Sequence, residues 1–304
     1  MKGDSVEYQR TIAKPVSLEG KGVFTNKTIK IELYPLFENE GIIFERADLP
    51  DTPRIPLHID YVIGAEGSTV LSDGKVSIYL IEHLLSALHG LGIDNLLIRV
   101  YGEEIPLFDG SALYFVRKIR EAGFRILPAP RRKYRLLKAF SMENGKGRIT
   151  FLPSRELRIK AKIEFSHPLI GTQECIYSHN PFHYLQEISF ARTFGFKDLL
   201  EERKRKGILK GGDFSNAIVL DEEGILNPEG LRCKDEFVRH KVLDLMGDLY
   251  ALGLPLVAEV QAEFSGHRLH IEALKSLYKA GLLEEFEERA LTFLCILNKK
   301  RALF

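Results

Sequence analysis

Hydrophobic and polar residues alternate in short runs along much of this chain, which is typical of β-strands with one buried face. The runs that predict strands cover residues 28–34, 95–101, 134–140, 157–165 and 257–264. Other stretches repeat their apolar residues with helical spacing. These predict helices over 79–90, 111–123, 236–253 and 284–298. Because strands come in groups followed by helices, we predict an α+β fold with largely antiparallel sheets.

The stretch LPAPRRK, residues 127–133, combines two prolines with three basic residues. It separates a strand-and-helix half from a second strand-rich half, and we expect two domains, 1–128 and 129–304. The late segment 282–304 has apolar residues on more than one helical face and a basic end. Packing against the second domain and a transient contact with a membrane surface both remain open for it.

Composition and charge exclude several classes of protein. Hydrophobic residues make up 45% of the 304 residues and charged residues 28%, which is the usage of a soluble globular protein. The formal net charge of +1 gives no overall attraction to nucleic acid. Two local charge runs, 131–133 and 201–206, lack the interleaved aromatic residues of a stacking surface. We therefore expect no nucleic-acid partner.

The three cysteines, Cys175, Cys233 and Cys295, are widely spaced and form no CxxC pair. They predict neither a disulfide framework nor a cysteine zinc cluster, and a reducing compartment fits best. The N-terminal residues lack the apolar stretch of a signal peptide, and no run reaches the roughly 18 to 20 apolar residues of a membrane-spanning helix. We expect a cytoplasmic protein with at most peripheral membrane contact.

The segment 235–253 carries an unusual polar stripe on a predicted helix. His240, Asp244 and Asp248 recur at i, i+4 and i+8, on a different face from the apolar residues. Two ligands at i and i+4 converge on one metal ion, so the stripe suits a metal site. A His–Asp hydrogen bond on a wet surface is the alternative.

A second helical segment, 81–95, begins with Glu82 and His83 among apolar residues. A carboxylate beside a metal-binding histidine can reach a metal-bound water, as in the helical HExxH motif. The second histidine of that motif is absent, because Ala87 occupies its place. His240 and Asp244 are candidates for the missing ligands.

Two further segments hold isolated candidates. His267 follows Ser265-Gly266, in a predicted turn between strand-like runs, and could act as a general acid, because its unperturbed pKa is close to neutrality. Taken alone, this residue type in a turn is more often structural, and that role remains open for His267. Thr193 lies among phenylalanines in 188–196, where its hydroxyl could stabilise an oxyanion. Ordinary core packing would explain the aromatic residues as well.

Six strings then occur in a characteristic order. They are IEHLLSALHGLGIDN, EIPLFDGSA, ISFARTFGF, NPEGLR, RHKVLDLMGDLYALG and SGHRLH. Together they resemble the UDP-3-O-acyl-N-acetylglucosamine deacetylases of Gram-negative bacteria, zinc amidases that commit a sugar nucleotide to lipid A synthesis. The resemblance covers roughly residues 10 to 275. It implies two similar α+β layers packed around one active site, each with a small insert, the second near 196–228 forming a hydrophobic passage for the acyl chain.

The resemblance also implies roles for particular residues. It implies that three residues bind Zn²⁺: His83, His240 and Asp244. It implies proton-transfer, oxyanion and substrate roles for a further set: Glu82 as general base, His267 as general acid oriented by Asp248, Thr193 and Lys241 at the oxyanion and substrate, and Phe194 as a substrate-site aromatic. The chain departs from the family in having Phe24 where a histidine is usual, and Ser265 where Gly-Gly-His is common.

The expected substrate is an acylated UDP-sugar, and we expect a monomer. Two other functions remain open: a catalytically silent protein that binds an acylated nucleotide, and a zinc amidase for a different N-acyl sugar. A proton donor and a proton acceptor at the metal, His267 and Glu82, are unnecessary for binding alone and favour an enzyme.

Overall fold

The computed structural model describes residues 6–287, which form two halves with matching sheets. The strands of the first half are β1 (Tyr8–Ile12), β2 (Val16–Lys21), β3 (Thr28–Pro35), β4 (Ile42–Arg46), β5 (Arg54–Pro56), β6 (Val62–Ala65), β7 (Ser68–Ser72), β8 (Ser77–Tyr79), β9 (Leu96–Tyr101) and β10 (Phe124–Pro130). The α-helices of this half are α1 (Glu82–Leu91) and α2 (Leu113–Ala122).

The second half begins directly after β10. Its strands are β11 (Arg132–Leu136), β12 (Phe140–Asn144), β13 (Gly147–Leu152), β14 (Arg158–Glu164), β15 (Thr172–Ser178), β16 (Phe194–Phe196), β17 (Ile218–Leu220), β18 (Leu256–Val257), β19 (Glu259–Glu263) and β20 (Leu283–Glu287). Its helices are α3 (Pro181–His183), α4 (Lys197–Arg205), α5 (Glu236–Tyr250) and α6 (His267–Lys279).

The two five-stranded sheets have the same order, β2-β3-β9-β4-β5 and β12-β13-β19-β14-β15. In each, the central strand, β9 or β19, is antiparallel to one neighbour and parallel to the other. A helix precedes this strand in the chain, α1 or α5, and another follows it, α2 or α6. The prediction of an α+β fold built from two similar layers is therefore confirmed, and α1 and α5 occupy equivalent places.

Helices α1 and α5 pack against each other at the centre of the molecule. Every residue of α1 is buried: its leucines lie in the apolar core, and the polar side chains of Ser86 and His89 have partners in the Tyr184 hydroxyl and the Met246 carbonyl. At Gly247 of α5 the backbone of α1 comes so close that a Cβ atom would lie 2.0 Å from the carbonyl oxygen of Glu82. Only glycine fits there, and this contact sets the separation of the two helices.

Most predicted elements agree with the structure. The alternating runs 28–34, 95–101, 157–165 and 257–264 correspond to β3, β9, β14 and β19, and the helical runs 79–90, 111–123 and 236–253 correspond to α1, α2 and α5. The run 134–140 is only partly a strand, because β11 ends at Leu136 and β12 begins at Phe140.

The predicted helix over 284–298 is wrong where it can be compared. Residues Leu283–Glu287 form β20, which pairs antiparallel with β11. Ion pairs between Glu284 and Arg135 and between Glu285 and Arg132 stabilise this pairing across the strands, so tertiary contacts override the helical preference of glutamate. The rest of the predicted helix lies outside the described residues.

The sequence predicts that His267 lies in a turn between strands, and this prediction is wrong. Gly266 is the last extended residue, and His267 begins the helix α6. The buried residues of α6 include His267, His270, Leu274 and Leu277, which are spaced at i, i+3, i+7 and i+10. The two histidines therefore share one helical face.

Within residues 6–287, none of the helices combines the length and the apolar composition that are needed to cross a bilayer.

The contact at Gly247 gives a test of the helix packing. Gly247→Ala should lower the free energy of unfolding by about 1–3 kcal/mol, because the added methyl must push the backbone of α1 away. Urea denaturation measures this difference. Gly224→Ala is the matched control, since its Cβ would meet only Leu169 Cδ1 at an ordinary 3.8 Å. Equal stability of the two variants would contradict the tight packing.

Candidate metal centre and active site

Residues from both halves line a cleft of about 640 Å³. Glu82 and His83 enter it from the first turn of α1, and His240, Lys241 and Asp244 enter it from α5. The start of α6 contributes further lining residues, including His267. The cleft thus lies where the two equivalent helices meet.

Three buried side chains form a cluster at the floor of this cleft: His83, His240 and Asp244. Asp244 Oδ1 lies 3.2 Å from His240 Nε2 and 3.6 Å from His83 Nε2. One ligand atom from each residue can be chosen so that all three lie within 4.8 Å of one another. Atoms at these separations can bind a single ion.

The hydrogen bonds of this cluster fit a metal cation. His240 Nδ1 lies 3.1 Å from the carbonyl oxygen of Ala191, which can only accept, so Nδ1 carries the proton. In the neutral ring Nε2 then has a free lone pair, and it faces the carboxylate of Asp244. His83 Nδ1 is buried without a partner among the described residues, and its Nε2 is too far from Asp244 for a hydrogen bond. A cation between His83 Nε2, His240 Nε2 and the Asp244 carboxylate would be bound by the lone pairs of these three groups.

A second cluster, Asp248, His267 and His270, also has the composition of a metal site. Its carboxylate is already occupied, because Asp248 Oδ2 lies 2.8 Å from His267 Nδ1 and 2.7 Å from His270 Nδ1. The other oxygen accepts a hydrogen bond from the Thr69 hydroxyl at 2.5 Å. These contacts indicate a hydrogen-bonded unit that holds His267 in place.

The two histidines differ in what their second ring nitrogen contacts. His270 Nε2 lies 2.8 Å from the Ser265 hydroxyl, so both nitrogens of this ring are engaged. His267 Nε2 points toward the metal cluster, 3.9 Å from Asp244 Oδ2. His267 is thus the histidine that can act in the cleft. Ser265, one of the departures from the family pattern, fixes the ring of His270.

Glu82 occupies the start of α1, directly before His83. Its Oε2 accepts a hydrogen bond from the backbone N–H of Thr69 at 2.9 Å. The side chain is almost fully buried, yet it lines the cleft. Thr69 thereby contacts both Glu82 and Asp248, a link that sequence reasoning missed because Thr69 lies in β7 with no motif around it.

The environment raises the pKa values of Glu82 and His267 and lowers the pKa of Asp248. Burial raises the pKa of the Glu82 carboxyl, which makes it a better proton acceptor. Burial opposes protonation of His267, but the carboxylates of Asp248 and Asp244 outweigh it and raise the pKa of His267 to about 10. Burial also disfavours the Asp248 carboxylate, yet His267 and His270 hold its pKa at about 2.

The remaining predicted residues lie on the wall of the cleft. Lys241 Nζ donates to Asp244 Oδ2 at 2.9 Å and lies 5.7 Å from the centre of the Phe194 ring. Phe194 packs edge-on against Phe237. Thr193 lines the cleft, and its backbone N–H donates to the carbonyl of Gly110 at 2.7 Å. The structure therefore brings together every predicted site residue.

The other departure, Phe24, lies beside the cleft rather than among its lining residues. It packs against a small apolar cluster of Val23, Leu80 and Leu107, and its backbone N–H donates to the carboxylate of Glu104. Glu104 therefore holds the turn at Phe24 and Thr25, and Phe24 is not part of the cluster of His83, His240 and Asp244.

A buried cluster of two histidines and one aspartate, with a further carboxylate beside it, is typical of metal-dependent hydrolases. Comparison with protein families matches residues 9–279 to LpxC, UDP-3-O-acyl N-acetylglycosamine deacetylase. The chain therefore belongs to this family, as its motifs had predicted.

Curated relatives agree with the family match. Three of them carry the name UDP-3-O-acyl-N-acetylglucosamine deacetylase, and each covers 88% of this chain. The protein from Myxococcus xanthus is 39% identical over 269 residues, which are 86% of its length. The proteins from Pseudomonas entomophila and Helicobacter pylori are each 40% identical, over 89% and 90% of their lengths.

The cluster geometry gives a test of metal binding. The protein, stripped of metal with a chelator, should bind one divalent transition-metal ion per chain in a titration. His83→Ala and Asp244→Ala should each weaken this binding more than about 100-fold, beyond the 10–100-fold loss seen when a group that only orients a ligand is removed. His58→Ala is the control, since His58 contacts Tyr278 and lies outside the cleft. Unchanged affinity in the first two variants would refute the cluster as a metal site.

Proposed function

We propose that this chain hydrolyses the N-acetyl group of UDP-3-O-acyl-N-acetylglucosamine, giving acetate and the free 2-amino sugar in the pathway to lipid A. Family membership over residues 9–279 supports this substrate. The main support for the hydrolytic reaction is the cluster of His83, His240 and Asp244, with Glu82 and His267 beside it in the same cleft. A metal-dependent amidase uses this combination of metal ligands, proton acceptor and proton donor.

The metal is best assigned as Zn²⁺, held by His83, His240 and Asp244. Two imidazoles and a carboxylate are a donor set that suits zinc, and three protein ligands leave a position for water or substrate, as in catalytic zinc sites. When bound, Zn²⁺ supplies a Lewis acid that lowers the pKa of a coordinated water and polarises the acetamide carbonyl.

Glu82 is assigned as the general base that removes a proton from the attacking water. Burial raises the pKa of Glu82, so its carboxylate is a stronger base than one in water. The hydrogen bond from Thr69 occupies Oε2 and leaves Oε1 available for the proton. Because Glu82 precedes His83 on the same helical turn, it would lie near a metal ion held by His83 without being one of the three ligands.

His267 is assigned as the general acid that donates a proton to the departing amine. The Asp248 carboxylate holds Nδ1, so the proton on Nε2 is the one that faces the cleft. The raised pKa keeps this ring protonated at neutral pH. Asp248 orients the imidazole and stabilises its charge, and it does not itself transfer a proton to substrate.

Thr193 and Lys241 are assigned to stabilise the negative charge that develops on the acetamide oxygen. A hydroxyl and an ammonium group on the wall of a largely apolar cleft can do this better than they could in water. Lys241 can also contact the anionic substrate, and Phe194 supplies an aromatic surface beside it.

The apolar part of the cleft is assigned to the acyl chain of the substrate. The proposed insert, 196–228, contributes Leu199, Leu200 and Leu209 to the lining, and Val23 and Leu107 complete it from the first half. A hydrocarbon chain would gain about 25 cal/mol for each Å² of apolar surface that it removes from water there.

We also propose that residues 1–128 and 129–304 are two domains and that the chain acts as a cytoplasmic monomer. The matching sheets on either side of residue 130 support the division. All of the proposed catalytic residues lie on one chain, so the site needs no residue from a partner subunit.

The proton-transfer roles are tested by variants that replace each titrating group with an uncharged amide. Glu82→Gln and His267→Gln should each lower kcat about 100- to 10,000-fold, because each removes one proton transfer. Acetate release from the UDP-sugar measures the rate, and metal analysis should show that zinc is still bound. Glu121→Gln, which alters an exposed carboxylate paired with Lys118, should retain the wild-type rate. A near-normal rate in either zinc-loaded variant would refute its assigned role.

A further inference from the structure

We propose that Arg192 is a positioning residue, which locks residues 191–194 onto helix α5 so that the metal ligand His240 and the cleft residue Thr193 are held in place. The effect of Arg192 on catalysis rests on the proposed function, but the hydrogen bonds of Arg192 are observed independently of any reaction. Arg192 is only 3% exposed and is absent from the lining of the cleft, so it acts through other residues.

The guanidinium of Arg192 is bound to a buried carboxylate at the beginning of α5. Its Nε donates to Glu236 Oε1 at 2.8 Å, and one terminal nitrogen donates to Glu236 Oε2 at 3.1 Å. Such a two-point contact fixes the orientation of both groups. The backbone N–H groups of Arg192 and Arg232 also donate to Glu236, so four donors converge on this carboxylate.

Glu236 lies one helical turn before His240 on α5, and Arg192 lies next to the residue that holds His240. The carbonyl of Ala191 accepts the proton of His240 Nδ1 at 3.1 Å. This hydrogen bond leaves Nε2 free for a metal ion and fixes the ring. The Arg192–Glu236 pair therefore clamps the helix and the segment together at the place where the ligand needs them aligned.

The same segment places Thr193 in the cleft. Its N–H donates to the carbonyl of Gly110, and its own carbonyl accepts from the N–H of Ile218, both at 2.7 Å. Gly110 is packed against the second half so closely that a Cβ would lie 2.4 Å from the carbonyl oxygen of Asn216. Thr193 is thus held at both backbone ends, and Arg192 anchors the residue immediately before it.

The energetic consequence follows from burial. Removing one partner of a buried ion pair leaves the other charge unpaired in a medium of low dielectric, and the surrounding backbone must move to satisfy it. Glu236 is fully buried, so its movement would draw the start of α5 and the segment 191–194 apart. Glu229, the other partner of Arg192, is half exposed and can be solvated instead.

The experiment compares zinc affinity in Arg192→Lys, Arg192→Gln and the control Glu229→Gln. Affinity is measured by competition with a chelator on the folded protein, and the thermal unfolding midpoint is recorded for the metal-free form. Arg192→Gln should weaken zinc binding about 10- to 100-fold, the range expected when the group that orients a metal ligand is lost. Arg192→Lys keeps the charge without the two-point contact, and it should fall between Arg192→Gln and the wild type. Glu229→Gln should stay within twofold.

Zinc affinity within twofold of wild type in folded Arg192→Lys and Arg192→Gln would overturn the proposal, even if their unfolding midpoints fall, because that pattern describes a purely structural ion pair. If Arg192→Gln does not fold, Arg192→Lys alone decides between a loss and no loss. Because zinc affinity is read without substrate, the result stands whether or not the wild type deacetylates the proposed sugar. At saturating zinc, kcat of Arg192→Lys should also fall, since Thr193 shares the anchored segment.

Discussion

The carbonyl of Glu82 and the Cα of Gly247 approach so closely that no side chain could lie between them. This contact between α1 and α5 determines where the rest of the site can be. It brings the first turn of α1, with Glu82 and His83, beside the middle of α5, with His240 and Asp244. A separation larger by the width of a methyl group would move His83 away from Asp244, and the cluster would lose its third donor. The packing of two equivalent helices thus assembles one centre from two halves of the chain.

The centre buries charged groups that would each be costly alone, and it does so by pairing them. Asp248 accepts hydrogen bonds from Thr69, His267 and His270, so its charge stays buried with every partner in place. The cluster of His83, His240 and Asp244 is different, because His240 donates its Nδ1 proton to the Ala191 carbonyl and turns the lone pair of Nε2 toward the Asp244 carboxylate. The hydrogen bonds of the Asp248 cluster are therefore satisfied without a metal ion, whereas the cluster of His83, His240 and Asp244 would be stabilised by a bound cation.

The local elements of the site could be predicted from the sequence, because they rest on periodicity over a few residues. The i, i+4 spacing of His240 and Asp244 on a helix is of this kind, and so is the position of Glu82 beside His83. Their meeting could not be derived in the same way, since it depends on the contact at Gly247, which joins residues 165 positions apart. Only the resemblance to a known family predicted that His83, His240 and Asp244 come together.

Other features depended on contacts that the sequence pattern does not contain. The sequence predicts a turn at His267 and no helix α6, although the spacing of three residues between His267 and His270 fits a helical face. Thr69 carries no motif, and only the fold places it between Glu82 and Asp248. The glutamates of β20 favour a helix in isolation, but their pairing with arginines of β11 decides for a strand.

The most direct measurement of the central claim is the position of zinc in a crystal of the zinc-loaded protein, found from its anomalous scattering. The account predicts one strong peak about 2.0–2.2 Å from His83 Nε2, His240 Nε2 and a carboxylate oxygen of Asp244. A peak at the cluster of Asp248, His267 and His270, with none beside His83, would contradict it, since His267 would then be a ligand and could not serve as the proton donor.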